Sequence, residues 1–195
     1  MREHTLRRTS AETDVQLSLR LDAPEPVDVR TGCGFFDHML TLFARHGRFG
    51  LTAVCAGDLA VDAHHTVEDV GIALGTALRA ALGECRGIAR YGHAVIPMDE
   101  ALVETVVDVS GRAYLACGIR CPSPRVGAFD TELGEEFLQA FVRAAGVTLH
   151  VRQLAGRNSH HILEAAFKGL GRALRQAAAS DAAFAGEIPS TKGVL

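Results

Sequence analysis

The sequence predicts an internally duplicated α+β fold, and three observations carry that prediction. Strand-period and helix-period segments alternate along the chain. The order of segments in the first half recurs in the second. One helix start, His-His-x-x-Glu, occurs twice, as His64-His65-x-x-Glu68 and His160-His161-x-x-Glu164, 96 residues apart.

The elements follow in order. Val15, Leu17, Leu19 and Leu21 alternate with Gln16, Ser18 and Arg20, the period-two pattern of a strand with one buried face. A short strand follows Pro26, and after the turn at Gly32 to Gly34 the apolar residues of Phe35 to Arg45 fall at helical spacing. Phe49 to Cys55 and Leu59 to Val61 read as strands, and His64 to Leu82, rich in Ala and Leu, as a long helix. In the second half, strands near Leu102 to Val109 and Ala113 to Ile119 flank the Ser110-Gly111 turn. A helix from Glu132 to Ala145, a strand from Val147 to Arg152 and a helix from Ser159 to Ala179 complete it. Gly50-Leu51-Thr52 answers to Gly146-Val147-Thr148 at the offset of 96. Phe43 and Arg45 answer to Phe141 and Arg143 at 98, a slip that the His46 to Phe49 turn absorbs. On that register His38 stands opposite Glu136. The expected organisation is a single domain over 1–195 made of two repeats, about 1–92 and 93–195.

A chain of 195 residues with 48% hydrophobic side chains can bury a sizeable core. Its 20 Lys and Arg nearly balance its 23 Asp and Glu without long like-charge runs, which argues against nucleic acid or an anionic membrane as partner. Apolar stretches are interrupted too early to span a bilayer, and Met1 to Ser10 carries Arg and Glu where a signal peptide would be apolar, so a cytoplasmic location is expected. The five cysteines are odd in number and form no Cys-x-x-Cys pair, so neither a disulfide framework nor a thiolate zinc site is expected.

On a helix, positions i and i+4 share a face while neighbours diverge by roughly 100°. His64 and Glu68 are thereby suited to one ion and His65 to another, and the same holds for His160, Glu164 and His161. A single His-His pair is ordinarily an exposed or hydrogen-bonded pair, but two in register, each with its Glu, favour metal. Imidazole and carboxylate without thiolate suit Mn, Fe, Co, Ni or Zn, and an octahedral N/O shell with open positions favours Mn or Fe. His38 joins the candidate ligands, with Asp37 as the carboxylate that would orient its ring. Glu136 joins through the repeat. His4, His46, His93 and His150 have no counterparts and read as surface or packing residues.

Gly34-Phe35-Phe36-Asp37-His38-Met39-Leu40, Asp62-Ala63-His64-His65-Thr66-Val67-Glu68-Asp69, Asn158-Ser159-His160-His161-Ile162-Leu163-Glu164-Ala165 and the tail Ser190-Thr191-Lys192-Gly193 together resemble the imidazoleglycerol-phosphate dehydratase family. The likeness runs from Arg7 almost to the end and includes Glu12-Thr13, Gly87-Ile88-x-Arg90-Tyr91-Gly92, Asp99-Glu100-Ala101 and Ser110-Gly111-Arg112. The resemblance implies a duplicated unit like the second domain of ribosomal protein S5, a sheet with helices packed on one face. It implies two Mn ions per subunit, held at subunit interfaces of a 24-subunit homo-oligomer. The metal ligands it implies are His38, His64, His65, Glu68, Glu136, His160, His161 and Glu164; Glu136 departs from the His that several members carry.

The reaction implied is dehydration of D-erythro-imidazole-glycerol phosphate to imidazole acetol phosphate in L-histidine biosynthesis. A metal-bound imidazolate would expel the adjacent hydroxyl to give a diazafulvene-like intermediate, a carboxylate or metal-activated water would take the now acidic carbon proton, and the enol would collapse to the ketone. Glu12 is the candidate for that proton transfer, with Glu68 and Glu164 as further carboxylates of the centre. Arg90, Arg112, Lys168, Ser190 and Lys192 match the family's phosphate contacts, with Thr191 in the same polar tail. A metal-storage protein would leave this basic set without a task, and a dinuclear hydrolase would want a carboxylate bridging its metals.

Overall fold

The computed structural model describes residues 1–195. In the first half the elements are β1 (Glu3–Thr9), β2 (Thr13–Arg20), β3 (Val27–Arg30), α1 (Gly34–Gly47), β4 (Gly50–Gly57) and α2 (His64–Leu82). In the second they are β5 (Tyr91–Met98), β6 (Ala101–Asp108), β7 (Tyr114–Gly118), a two-stranded ribbon of β8 (Arg125–Val126) and β9 (Phe129–Asp130), α3 (Leu133–Ala145), β10 (Thr148–Ala155) and α4 (Ser159–Ala177). The sheets have the orders β1-β2-β4-β3 and β5-β6-β10-β7, so the same topology is written twice. In each sheet the first three strands run antiparallel and the fourth pairs in parallel.

Val15, Leu17 and Leu19 of β2 are buried and Gln16 is exposed, as period-two alternation requires. The chain differs from the sequence expectation at the sheet edges. β1 carries one apolar residue inside it, Leu6, and β5 contains Pro97, so neither has a pattern to read, yet each completes a sheet as an edge strand, where such residues are tolerated. Leu59 to Val61, expected as a strand, is a turn closed by the Val61 N–H donating to the Asp58 carbonyl at 2.8 Å; Leu59 and Val61 are both exposed, so the segment has no buried face. The strands flanking Ser110-Gly111 do not form a hairpin, because β10 lies between β6 and β7.

Each sheet buries one face beneath its own helices, and the two helix layers then pack across the repeats, α2 on α3 and α1 on α4, around a continuous core of 47 buried residues. Glycine sets the closeness of these crossings. A Cβ added at Gly75 would stand 2.4 Å from the Phe141 carbonyl oxygen, and one added at Gly171 would stand 2.3 Å from that of Phe43. Gly75 and Gly171 are 96 residues apart and Phe43 and Phe141 are 98 apart, so the two contacts are copies of one contact. α1 and α3 also end alike, at Arg48 (φ 53°) and Gly146 (φ 68°), both left-handed. No helix is long and apolar enough to cross a membrane.

Gly75→Ala and Gly171→Ala should each destabilise the protein by about 1–3 kcal/mol, because the added methyl meets backbone and the helix pair must separate. Thermal denaturation of both variants checks this; unchanged midpoints would mean that the crossings are not close in solution.

Candidate active site

Both His-His pairs sit at helix N-termini fixed by an Asx side chain. Asp62 accepts from the His64 N–H at 2.8 Å, and Asn158 accepts from the N–H groups of His160 and His161 at 2.9 and 3.3 Å. The two rings of each pair then diverge, with centroids 6.1 Å apart for His64 and His65 and 6.2 Å for His160 and His161.

His160 turns towards α1. Its Nε2 lies 3.2 Å from Oε2 of Glu164, and His38 Nε2 lies 3.6 Å from the same oxygen, while Lys168 takes Oε1. Burial pushes the Glu164 carboxyl up, but Lys168 and then His160 outweigh it and hold the group ionised, below its ordinary range. The ligand atoms of His38, His160 and Glu164 all lie within 4.8 Å of one another. Ligands on opposite sides of one ion with bonds of ~2.1 Å stand ~4.2 Å apart, so small side-chain adjustments close this set around a cation. Its composition crosses the repeats: His38 comes from the first and the other two from the second.

The mirrored combination is looser. His64 and Glu136 line one cleft of about 410 Å³ with Glu132, Glu135 and Gln139, again joining the two repeats. Glu68 does not line it, and no three-ligand cluster forms there. The reason lies one turn along each helix. Lys168 pins Glu164, whereas its counterpart 96 residues earlier is Ile72, which offers Glu68 no charge.

The second histidine of each pair is held by a carboxylate at Nδ1, leaving Nε2 turned away from it, the arrangement by which carboxylates orient imidazole ligands. Asp58 stands 2.9 Å from Nδ1 of His65, and Glu100 stands 2.7 Å from Nδ1 of His161. His161 and Glu100 line a cleft of about 770 Å³ with Asp99, Arg125 and Arg157. Beyond Nε2 of His65 lies Oε1 of Glu12 at 3.6 Å. Arg8 and Arg20, which a surface Glu12 would pair with, are taken by Asp69 and Glu3. Asp37 does not orient His38, contrary to expectation: its Oδ1 accepts from the backbone N–H and the hydroxyl of Thr31, closing the turn before α1.

The basic residues gather elsewhere. Arg90 donates to Asp108 at 2.8 Å and to the Pro189 carbonyl at 2.8 Å, which ties the start of the Ser190-Thr191-Lys192 tail to β6. Arg112 reaches the same Asp108 at 4.0 Å, and the chain end at Leu195 folds over Gly111. Lys168 stays apart, with Glu164 and Met98. The Arg90 N–H donates to the carbonyl of Ala177 at the last turn of α4, and the 17 residues from His160 to Ala177 span about 25 Å of helix. One chain therefore holds its metal-type ligands and its Arg90 group at opposite ends of α4.

Asp58 and Glu100 were not legible as site residues. Glu12 and Glu100 each immediately precede the second strand of their repeat, but they are 88 residues apart, so the offset of 96 hides the match. Asp62 and Asn158, by contrast, recur at 96 and carry a capping signal.

The Glu100 carboxyl is held down to about 2, chiefly by the His161 hydrogen bond and next by the Arg157 N–H. His161 is pushed above its ordinary value by Glu100 in turn. A carboxylate favoured by folding stabilises above its ordinary 4.5 and loses that effect as pH falls towards 2. An imidazolium favoured by folding stabilises below its ordinary 6.5 and loses that effect as pH rises past its folded value. The metal-free protein should therefore exceed its Glu100→Gln variant in stability by the widest margin between pH 4.5 and 6.5. Urea melts across pH measure that margin, and one that does not vary with pH would mean the pair is absent in solution.

The family model for imidazoleglycerol-phosphate dehydratase matches residues 31–174. The imidazoleglycerol-phosphate dehydratase of Desulforamulus reducens is 55% identical over 194 residues, covering 100% of this chain and 98% of that protein. That of Gluconacetobacter diazotrophicus is 56% identical with the same coverage. Among solved structures, that of the Pyrococcus furiosus enzyme in complex with (S)-C348 matches with TM-score 0.85 at 39% identity, over 97% of this chain and 100% of that one. The Staphylococcus aureus imidazoleglycerol-phosphate dehydratase matches with TM-score 0.83 at 39% identity, over 92% and 99%.

Proposed function

The chain belongs to the imidazoleglycerol-phosphate dehydratase family, hydro-lyases of histidine biosynthesis, and from that premise we propose how its residues divide the dehydration of D-erythro-imidazole-glycerol phosphate to imidazole acetol phosphate. The observation that carries the assignment is the convergence of His38, His160 and Glu164 within 4.8 Å from opposite repeats. His38, His160 and Glu164 would hold one divalent ion; His64, Glu68 and Glu136, with the outward-facing His65 and His161, would complete the shells of two per subunit. Of the divalent cations that this oxygen and nitrogen donor set suits, Mn is the one we propose, with other divalent metals able to take the same ligands. Bound there, the ions would supply Lewis acidity to the substrate's imidazole ring, easing loss of its N–H proton and hence departure of the adjacent hydroxyl.

The chain's own residues do the rest. Glu12, exposed and free of side-chain hydrogen bonds, takes the proton from the carbon next to the one that loses hydroxide. Arg90, Arg112, Ser190, Thr191 and Lys192 grip the phosphate, whose charge needs fixed donors outside water. Lys168 keeps Glu164 ionised and directs its free oxygen to the two imidazoles.

A substrate of this size does not bridge about 25 Å along α4. The ligand set of one subunit is therefore completed by the Arg90 group of another, in a homo-oligomer of 24 copies with sites between subunits. Exposed Val54, Val95, Val106 and Tyr114 on the outer sheet faces support such contacts. The cytoplasm is the compartment that suits this biosynthetic step.

Purified protein supplied with Mn should convert the substrate to the enolisable ketone. Stripping metal with a chelator should abolish turnover and shrink the particle seen by light scattering; an unchanged size would remove the claim that metal links subunits. Lys192→Ala should raise KM about tenfold or more while leaving Mn content intact, as expected for one lost contact to a dianion. Loss of metal in that variant would show that Lys192 serves the metal centre.

A further inference from the structure

The two repeats treat the turn before their second strand differently, and the difference bears on Glu12. In the second repeat Glu100 is fully engaged: it accepts from His161 Nδ1 at 2.7 Å and from the backbone N–H groups of Arg157 and Asn158 at 3.2 and 2.8 Å. In the first, Asp58 takes over Nδ1 of the imidazole, and the side chain of Glu12 accepts no hydrogen bond, its Oε1 standing 3.6 Å from Nε2 of His65.

Glu12 is held by its backbone. Its N–H donates to Ser10 Oγ at 3.2 Å, and its carbonyl accepts from the Asp58 N–H at 3.1 Å. Ser10 and Thr13 in turn both donate to Oδ2 of Asp69, Ser10 at 3.3 Å and Thr13 closer still. Asp69 is only 5% exposed, and its other oxygen takes Arg8 at 2.8 Å. The second repeat has nothing like this. Ala165 stands where Asp69 would be, and Ala101, the first residue of β6, stands where Thr13 would be. A buried carboxylate with its arginine is weak evidence for stability, since apolar packing does the same task at less cost in desolvation. The second repeat is built that way.

We propose that Asp69, acting through Ser10 and Thr13, is the positioning residue for Glu12, fixing the β1–β2 turn so that this carboxylate meets the substrate carbon. The inference rests on the assignment of proton transfer to Glu12. The hydrogen-bond chain runs from Asp69 through the two hydroxyls to the Glu12 backbone, and on through Asp58 to His65. The proton-transfer group and a metal-ligand candidate thus share one frame.

The test uses the whole Mn-loaded enzyme with imidazoleglycerol phosphate as substrate, and calorimetric Mn titration of the chelator-stripped protein. Thr13→Val should lower kcat about tenfold to a hundredfold, the scale of a small misplacement of a reacting group. KM and Mn affinity should stay within about twofold, because Thr13 contacts neither the phosphate-type residues nor the Asp58–His65 hydrogen bond that holds the metal-ligand candidate. Thr13→Ser should restore most of kcat. In a Glu12→Gln background, Thr13→Val should add no further loss, since both changes act through one group. Wild-type kcat in Thr13→Val beside an inactive Glu12→Gln overturns the positioning role and leaves the Glu12 assignment standing. Full activity in Glu12→Gln overturns both. A parallel loss of Mn affinity, or multiplied losses in the double variant, also overturns the proposal. If Asp69→Asn does not fold, the Thr13 pair decides alone.

Discussion

The helix crossings at Gly75 and Gly171 are the constraint on which the rest of the molecule depends. A side chain as small as a methyl does not fit between these glycines and the carbonyls of Phe141 and Phe43. The helices of one repeat therefore seat directly on the backbone of the other. That seating brings His38 to His160 and Glu164, and Glu136 to the cleft of His64. Without the close crossing the repeats would be two separate layers, and His38 would stand apart from His160 and Glu164.

Duplication supplies the scaffold, and departures from it supply the differences within the site. Lys168 against Ile72 makes one glutamate pinned and ionised and the other unpinned. Asp58 against Glu100 makes the turn carboxylate of one repeat available and that of the other structural. A reaction that removes a hydroxyl and a carbon proton is not symmetric. A perfectly symmetric pair of half-sites would offer the same group on both sides of the substrate, so the departures are where chemical roles separate.

The placement of the Arg90 group at the far end of α4 has a further consequence for how this fold works. The folded chain presents two partial sites facing different directions, one rich in imidazole and carboxylate, the other in guanidinium, hydroxyl and the tied tail. Neither group by itself carries both imidazole-type ligands and phosphate-type cations. On the reading proposed above, catalysis is a property of assembled copies, and the exposed Val54, Val106 and Tyr114 of the outer sheet faces are the surfaces that would meet.

The duplication, the order of most elements and the candidate ligands were legible in the chain, because the His-His-x-x-Glu repeat and the period of β2, α2 and α4 are local patterns that survive in one dimension. Asp62 and Asn158 recur with the same offset and were open to the same comparison. The edge strands β1 and β5 were not legible, since one carries a single interior apolar residue and the other a proline, and edges are defined by what they pair with. Asp58, Asp69 and Glu100 were hidden for a related reason: each acts on a residue brought near by the fold, Asp69 on a turn 56 residues away and Glu100 on a ring 61 residues away. Packing alone put His38 beside His160 and Glu164, and set Arg90 a helix length away from them. Such pairings are set by packing between distant segments, and sequence spacing carries no record of that distance.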